Sequence, residues 1–454
     1  MILEMMERLN KPIGALLLAA TAFLCVGTYA GGWATTSGHV LLILALATGL
    51  IGVVRARSAG RSLARVGESG TAGEPGPSLV SRRRLPVSFW CLLVLVIVSF
   101  LSVLVSLNWY ERPLIDLKKL RYLLLPALCF CVPPVWQFLL RNPERVAKVA
   151  LLGILGSASF VTVVGLIAAF TGFHPLLPDD RPNPGRVSGI SRNAMTYAYS
   201  MQFAVLLFLG VALTYGSSWL KERKRFLWGQ GLLWCTLAGF AIGVLGLYFS
   251  YARGPVLGLL LGGGILLLVA RAWKLLAVLS LAAIITLGIA YQTNARFVQN
   301  LSVSNLERVS QWRGATLVFF ENPVTGVGYR QLEKNFDSFK ERLNLPKEKV
   351  NEEGKPTWYV SHAHNNYLEA FAATGFLGGF AFLGFCIFWI RETWSSRLGR
   401  VLFLPGVAAF IVSGFFECTF IDGELLTIIM LLYVASQITL DLEASEPGAG
   451  HSAS

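Results

Sequence analysis

The sequence predicts an all-α polytopic membrane protein: about twelve transmembrane helices and one large, partly helical loop on the outer side. Three observations predict it. Of 454 residues, 54% are hydrophobic and only 14% are charged, against about 25% charged in ordinary soluble domains. The apolar residues fall in continuous runs long enough to cross a bilayer, which takes roughly 20 residues each. Lys and Arg crowd into alternate connecting loops, as they do in cytoplasmic loops of inner-membrane proteins. A soluble α/β enzyme is excluded, and so is a β-barrel, whose strands would alternate apolar and polar residues.

The elements follow in order. The first run, Pro12 to Ala30, is too long for the core of a signal peptide, and a second span follows at once, so it reads as a retained helix. The predicted spans are roughly 12–31, 39–54, 87–107, 122–140, 149–171, 194–215, 230–250, 254–270, 275–291, 365–390, 401–417 and 424–441. Residues 1–291 thus hold nine helices, interrupted by a basic loop at 55–86; 292–363 form the long outer loop; 364–441 hold three more helices; 442–454 are a tail. Arg55, Arg57, Arg61, Arg65 and Arg82 to Arg84 fill the loop after span two, and Lys221, Arg223, Lys224 and Arg225 the loop after span six. Both loops, and with them both termini, are expected in the cytoplasm.

The net charge of +13 therefore reflects cytoplasmic loops and contact with anionic membrane lipid, not nucleic acid. The stretch Ser58 to Pro77 is a low-complexity cytoplasmic loop flanked by Arg. All seven cysteines lie in or beside apolar runs, so no disulfide framework is indicated.

The outer loop looks folded. In LERVSQWRGATLVFFEN, residues Leu306, Val309, Trp312 (or Arg313), Leu317 and Phe320 recur at helical spacing, an amphipathic pattern. Asn322-Pro323 ends that helix, TGVGY turns the chain, and YRQLEKNFDSFKERL is a second helical segment.

With this topology the strongest polar candidates gather on one membrane face. Arg192 starts span six on the outer side, Arg253 sits in the tight turn between spans seven and eight, Arg313 is on the outer-loop helix, and His364 opens span ten. Arg112 and Arg181 read as arginines snorkelling to headgroups. Arg253 has little room to do so, and the helix start at Gly254-Pro255 adds N–H groups that favour an anion. His39 and His174 read as interfacial histidines, and His451 lies in the tail. His362 and His364 form an H-x-H pair that can ligate a metal, but the outer-side acids Asp179, Asp180, Glu417, Asp422 and Glu424 are scattered in sequence and complete no coordination set. A divalent-metal glycosyltransferase is one reading of the pair; a lone general base, His364, fits better, and His362 has no assigned task.

The pattern His364-Asn365, nine residues, Gly375, two residues, Gly378 resembles the signature of the O-antigen ligases. SYARG at 250–254 is similar to that family's Ser-x-x-Arg-Gly turn, and 308–328 to its Arg-x-x-x-Trp helix, Asn-Pro and Gly-x-Gly turn. The resemblance implies a GT-C-like glycosyltransferase of the bacterial inner membrane with its active site facing the periplasm. It implies a glycan donor on undecaprenyl diphosphate, a lipid A-core acceptor, and an inverting reaction without metal, nucleotide or other cofactor. Carried onto this chain, it implies that Arg192 and Arg253 meet the diphosphate and that His364 deprotonates the acceptor hydroxyl; Arg313 is either a third phosphate contact or a partner of Glu307 or Glu321 that holds the loop. Asn365, His362, Trp312 and Tyr367 are candidate acceptor or sugar contacts, with Trp358 and Tyr359 as further aromatic platforms. Alternatives are an O-antigen or exopolysaccharide polymerase, a protein O-oligosaccharyltransferase, and a transporter of lipid-linked glycan; the transporter predicts charged residues at mid-membrane and internal repeats.

Overall fold

A computed structural model describes residues 2–30, 36–48, 50–51, 85–106, 120–176, 185–190, 193–216, 229–292, 301–332 and 362–444. Every regular element among them is helical. Six helices are long and apolar enough to cross a membrane: α3 (Val87–Ser106), α6 (Pro143–Thr171), α7 (Ala194–Gly216), α8 (Gly229–Ser250), α12 (Asn366–Ser395) and α15 (Gly423–Ala444). The chain is thus a multi-pass helical membrane protein. The remaining predicted spans coincide with shorter or interrupted apolar helices. These include α1 (Ile2–Ala30), α2 (Thr36–Thr48), α9 (Arg253–Val269), α10 (Trp273–Gln292) and α14 (Leu404–Ser413).

Two predicted spans are corrected. The fourth is not continuous: α4 (Arg121–Leu128) runs into a 3-10 turn, and α5 (Pro133–Arg141) leaves it at 81°. Pro133 and Pro134 explain the break, since neither offers an N–H to continue the helix. The eleventh was expected to run over 401–417. Instead a short helix, α13 (Arg397–Leu402), precedes α14, and α14 stops at Ser413. Residues 414–422 are left as a compact turn against the start of α12.

Helices meet where small residues let backbones approach, as expected when lipid offers no hydrophobic drive between them. On α9, a Cβ at Gly254 would stand 2.2 Å from the Tyr199 hydroxyl, one at Gly258 2.6 Å from Gln202 Oε1, and one at Gly262 2.5 Å from the Pro405 carbonyl oxygen. That stripe seats α9 against α7 and α14. At the opposite end of α12, Glu392 accepts hydrogen bonds from Ser88 N (3.0 Å), from the Ser88 hydroxyl and from Gln437 Nε2 (2.7 Å), tying α3, α12 and α15 together. Glu392→Gln turns one of these acceptors into a donor facing a donor. It should cost about 1–3 kcal/mol, read as a lower midpoint for thermal unfolding in detergent.

The outer-loop helix α11 (Leu301–Glu321) is present, and the turn at Asn322-Pro323 follows it. Its packed face, however, is Gln311, Gly314, Ala315 and Val318. The apolar stripe expected from the sequence points out: Val309 is 41%, Leu317 36% and Phe320 69% exposed. In a membrane protein this arrangement is favourable, because small residues make the helix contacts and large apolar ones meet lipid. The second predicted loop segment falls almost wholly outside the described residues. The expected interfacial His174 is in fact buried and structural. Its Nε2 lies 2.9 Å from the Gly189 carbonyl oxygen, and its Nδ1 accepts from Leu176 N at 3.2 Å. His39 is also buried, edge-on to Tyr122 with ring centroids 4.9 Å apart.

Candidate functional site

The site is built around the start of α12. Asn365 caps the helix: its Oδ1 accepts from Tyr367 N (2.9 Å) and Leu368 N (3.0 Å), and its Nδ2 donates to the Phe415 carbonyl at 3.3 Å. Asn366 clamps the facing turn. Its N–H donates to the Gly414 carbonyl (2.7 Å), its Nδ2 to Thr419 Oγ1 (2.8 Å), and its Oδ1 accepts from Phe420 N (3.0 Å). The two asparagines of HNN thus fasten the helix start to residues 414–420. Both carboxamides are buried and committed to these bonds.

That clamp delivers Glu417. Its Oε1 lies 2.7 Å from His362 Nε2 and 2.9 Å from His364 Nδ1, and accepts from Cys418 N at 3.0 Å. A carboxylate does therefore complete a group with the H-x-H pair. Glu417 is one of the acids whose scatter in sequence gives no sign of this grouping. The histidines precede the helix rather than sit on it, so helical facing does not govern them. His364 has φ of 47°, the left-handed region that only glycine enters freely and that costs a β-carbon residue about 1–3 kcal/mol. This bend lays the two imidazoles side by side, centroids 4.2 Å apart. It is held by Ala363 N donating to Glu369 Oε2 (2.9 Å) and by Asn365 N donating to Cys418 Sγ (3.2 Å).

The electrostatics follow from burial and contact. Burial alone would raise the Glu417 carboxyl, but the two imidazoles outweigh it and hold it below the usual carboxylate range. Burial alone would lower His362, but the bond to Glu417 and the charges of Glu417 and Glu369 reverse this and raise it.

A cationic group adjoins. Gly254 abuts both Tyr199 and Phe416, so the Arg253 turn lies against the residue next to Glu417. Arg253 interacts electrostatically with Arg186 and Arg308, like charges within reach of one another. Tyr199, whose hydroxyl abuts Gly254, feels the charges of both Glu417 and Arg308. Arg186 is fixed by its Nε, which donates to the Ser250 carbonyl at 2.6 Å. Arg253 Nη1, the Tyr199 hydroxyl and Trp312 Nε1 are buried and have no hydrogen-bond partner among the described residues, an arrangement that needs a reason in a folded protein.

The candidate residues divide accordingly. His362, His364 and Arg253 come together. Arg313 is exposed on α11, and Arg308, one and a half turns earlier on the same helix, stands near Arg253 instead. Tyr367 donates its hydroxyl to the Ile411 carbonyl (2.7 Å) and stacks on Phe415, a structural setting. Arg192, Trp358 and Tyr359 lie outside the described residues. Sequence reasoning missed Arg186, Arg308 and the pairing of Glu417. For Arg308 the signal was its place in the Arg-x-x-x-Trp motif.

The remaining motif residues join the loop to this site. Gly375 breaks α12, with φ of 68° and ψ of −171°. The chain 323–328 docks into the break: Val327 N and Gly328 N donate to the carbonyls of Ala372 (3.0 Å) and Ala373 (2.9 Å), and Phe376 N donates to Pro323 (2.8 Å). Residues 238–383, from α8 through α12, match the family model described as O-antigen ligase. The match covers less than half of the chain. The matched segment carries Arg253, Arg308, the docked turn, both histidines and the Gly375 break. Glu417 and Arg186 are supplied from outside it. Comparison of the chain with curated proteins gives no match. Gly375→Ala should undock this turn, since the Gly375 conformation is open only to glycine at a cost of about 1–3 kcal/mol and a Cβ would stand 2.3 Å from the Val324 carbonyl oxygen. Limited proteolysis should then cut near 323–328 faster than in the wild type.

Proposed function

We propose that the chain is an inverting, metal-independent O-antigen ligase working at the periplasmic face of the inner membrane, with both termini in the cytoplasm. It takes glycan from undecaprenyl diphosphate and attaches it to a sugar hydroxyl of the lipid A-core. The observation that carries this reading is the contact between Glu417 Oε1 and His364 Nδ1 beside an arginine cluster. A carboxylate 2.9 Å from Nδ1 favours the ring proton on that side by its charge and so favours Nε2 as the nitrogen that takes a proton from a hydroxyl, as in other carboxylate–histidine pairs.

The chemistry then divides between the two groups. The acceptor oxygen attacks the anomeric carbon as the bond to the diphosphate breaks. His364 Nε2 receives the acceptor's proton, and Glu417 stabilises the imidazolium. Negative charge grows on the leaving diphosphate, and Arg253 with Arg308 and Arg186 meets it; the buried, unpaired Arg253 Nη1 is a donor waiting for such an oxygen. Arg192 belongs to this group by its place in the sequence. Trp312, through its unpaired Nε1, is the best-placed sugar contact.

A polymerase would use the same donor with a lipid-linked glycan as acceptor, and a protein O-oligosaccharyltransferase a Ser or Thr hydroxyl. Reconstituted protein given undecaprenyl-diphosphate glycan with lipid A-core, lipid-linked glycan and a pilin-like protein in competition should glycosylate the lipid A-core. Elongated lipid-linked glycan or a glycosylated protein as the main product would replace the ligase reading.

A further inference from the structure

The pairing that makes His364 a base also makes the group a set of metal ligands. His362 Nε2, His364 Nδ1 and a Glu417 oxygen lie within 4.8 Å of one another. Two imidazole nitrogens and one carboxylate oxygen are the ligand types of three-coordinate protein zinc sites that keep a fourth position open. The contacts of 2.7 and 2.9 Å to Glu417 Oε1 need to open by roughly half an ångström or a little more to span a tetrahedral ion with bonds of about 2.0–2.2 Å. The side chains of His362 and His364 are 23% and 28% exposed, so the cluster is reachable from outside. The bond from Ala363 N to Glu369 and the one from Cys418 N to Glu417 hold the ligands from behind, as outer-shell partners do in metal sites.

We infer that His362, His364 and Glu417 form an inhibitory binding site for a divalent transition cation of the Zn²⁺ class. The inference rests on the base reading for its consequence, not for the binding itself. An ion on His364 Nδ1 displaces the proton that Glu417 keeps there, and a neutral ring then carries its proton on Nε2. Nε2 becomes a donor and cannot accept a proton from the acceptor hydroxyl. Mg²⁺, which favours all-oxygen octahedral sites, should not compete.

The test uses the full chain in detergent, stripped with chelator and titrated with Co²⁺ as a spectroscopic probe, then with Zn²⁺ in competition. One ion per chain should bind with the intense visible absorption of a low-coordinate Co²⁺ site, and Zn²⁺ should displace it. Glu417→Gln, and His362→Gln, which retains a donor to Glu417 and so protects the fold, should each weaken binding by more than about tenfold, since even outer-shell changes cost roughly 10–100-fold. In proteoliposomes, Zn²⁺ should suppress glycan transfer by the wild type and chelator should restore it. Absent binding, equal binding by the variants, or full transfer at saturating Zn²⁺ would overturn the inference. Binding needs no glycan: a protein that binds the ion but transfers nothing keeps the site and loses the ligase reading, and one that transfers but binds no ion loses the site alone.

Discussion

His364→Ala should abolish most glycan transfer, by about 10²- to 10⁴-fold, the usual contribution of a positioned general base. Protein level and membrane insertion should stay normal, because His364 lies outside the packed core and its side chain is 28% exposed. Alanine at a left-handed φ retains backbone strain, so thermal unfolding must be measured beside transfer. Glu417→Gln serves as the companion. It keeps the shape but loses the carboxylate that fixes the His364 tautomer, and transfer should fall without reaching the level of the histidine variant. Near-normal transfer by His364→Ala would remove the base assignment.

Arg253→Lys should lower transfer by at least about tenfold, and Arg253→Ala by about 10²- to 10³-fold, the loss seen when a donor to a developing oxyanion is removed. Lysine brings the charge but not the planar fork. It also leaves the place of the buried Nη1 unfilled. Arg308→Lys should follow the same order with a smaller effect, whereas Arg313→Ala, on the exposed face of α11, should stay close to wild type. Should Arg313→Ala prove as damaging as Arg253→Ala, the assignment of the cationic group is wrong. The readout is the rate of lipid-linked glycan consumption at saturating acceptor.

The part of the site legible in the sequence is the part carried by local signals. Apolar run length gave the helices, the Arg-Gly-Pro turn marked Arg253, and His-Asn-Asn before an apolar run marked a helix start. Glu417 was not legible, because it lies 53 residues beyond His364 and reads as the tail of a span. Only the early end of α14 and the Asn366 clamp bring it back. The choice between Arg308 and Arg313 needed the orientation of α11. Hydropathy alone suggested the wrong packed face there, because lipid reverses the usual rule and takes the large apolar side chains. The Gly375 break was visible as a motif but not as a docking slot. Its role depends on the carbonyls of Ala372 and Ala373 finding partners in a turn far away in sequence.

The same geometry gathers segments far apart in sequence. The turn 414–422 holds the carboxylate, the residues just before α12 hold the imidazoles, and the segment before α7, the start of α9 and the first half of α11 hold the arginines.

The central claim is metal-free transfer from a polyprenyl diphosphate to a lipid A-core hydroxyl. Its most direct measurement is product formation by purified wild-type protein in proteoliposomes containing both lipids and excess chelator. The account predicts glycosylated lipid A-core with one undecaprenyl diphosphate released for each glycan transferred. No product from folded protein, or product only after Mg²⁺ or Mn²⁺ is returned, would contradict it.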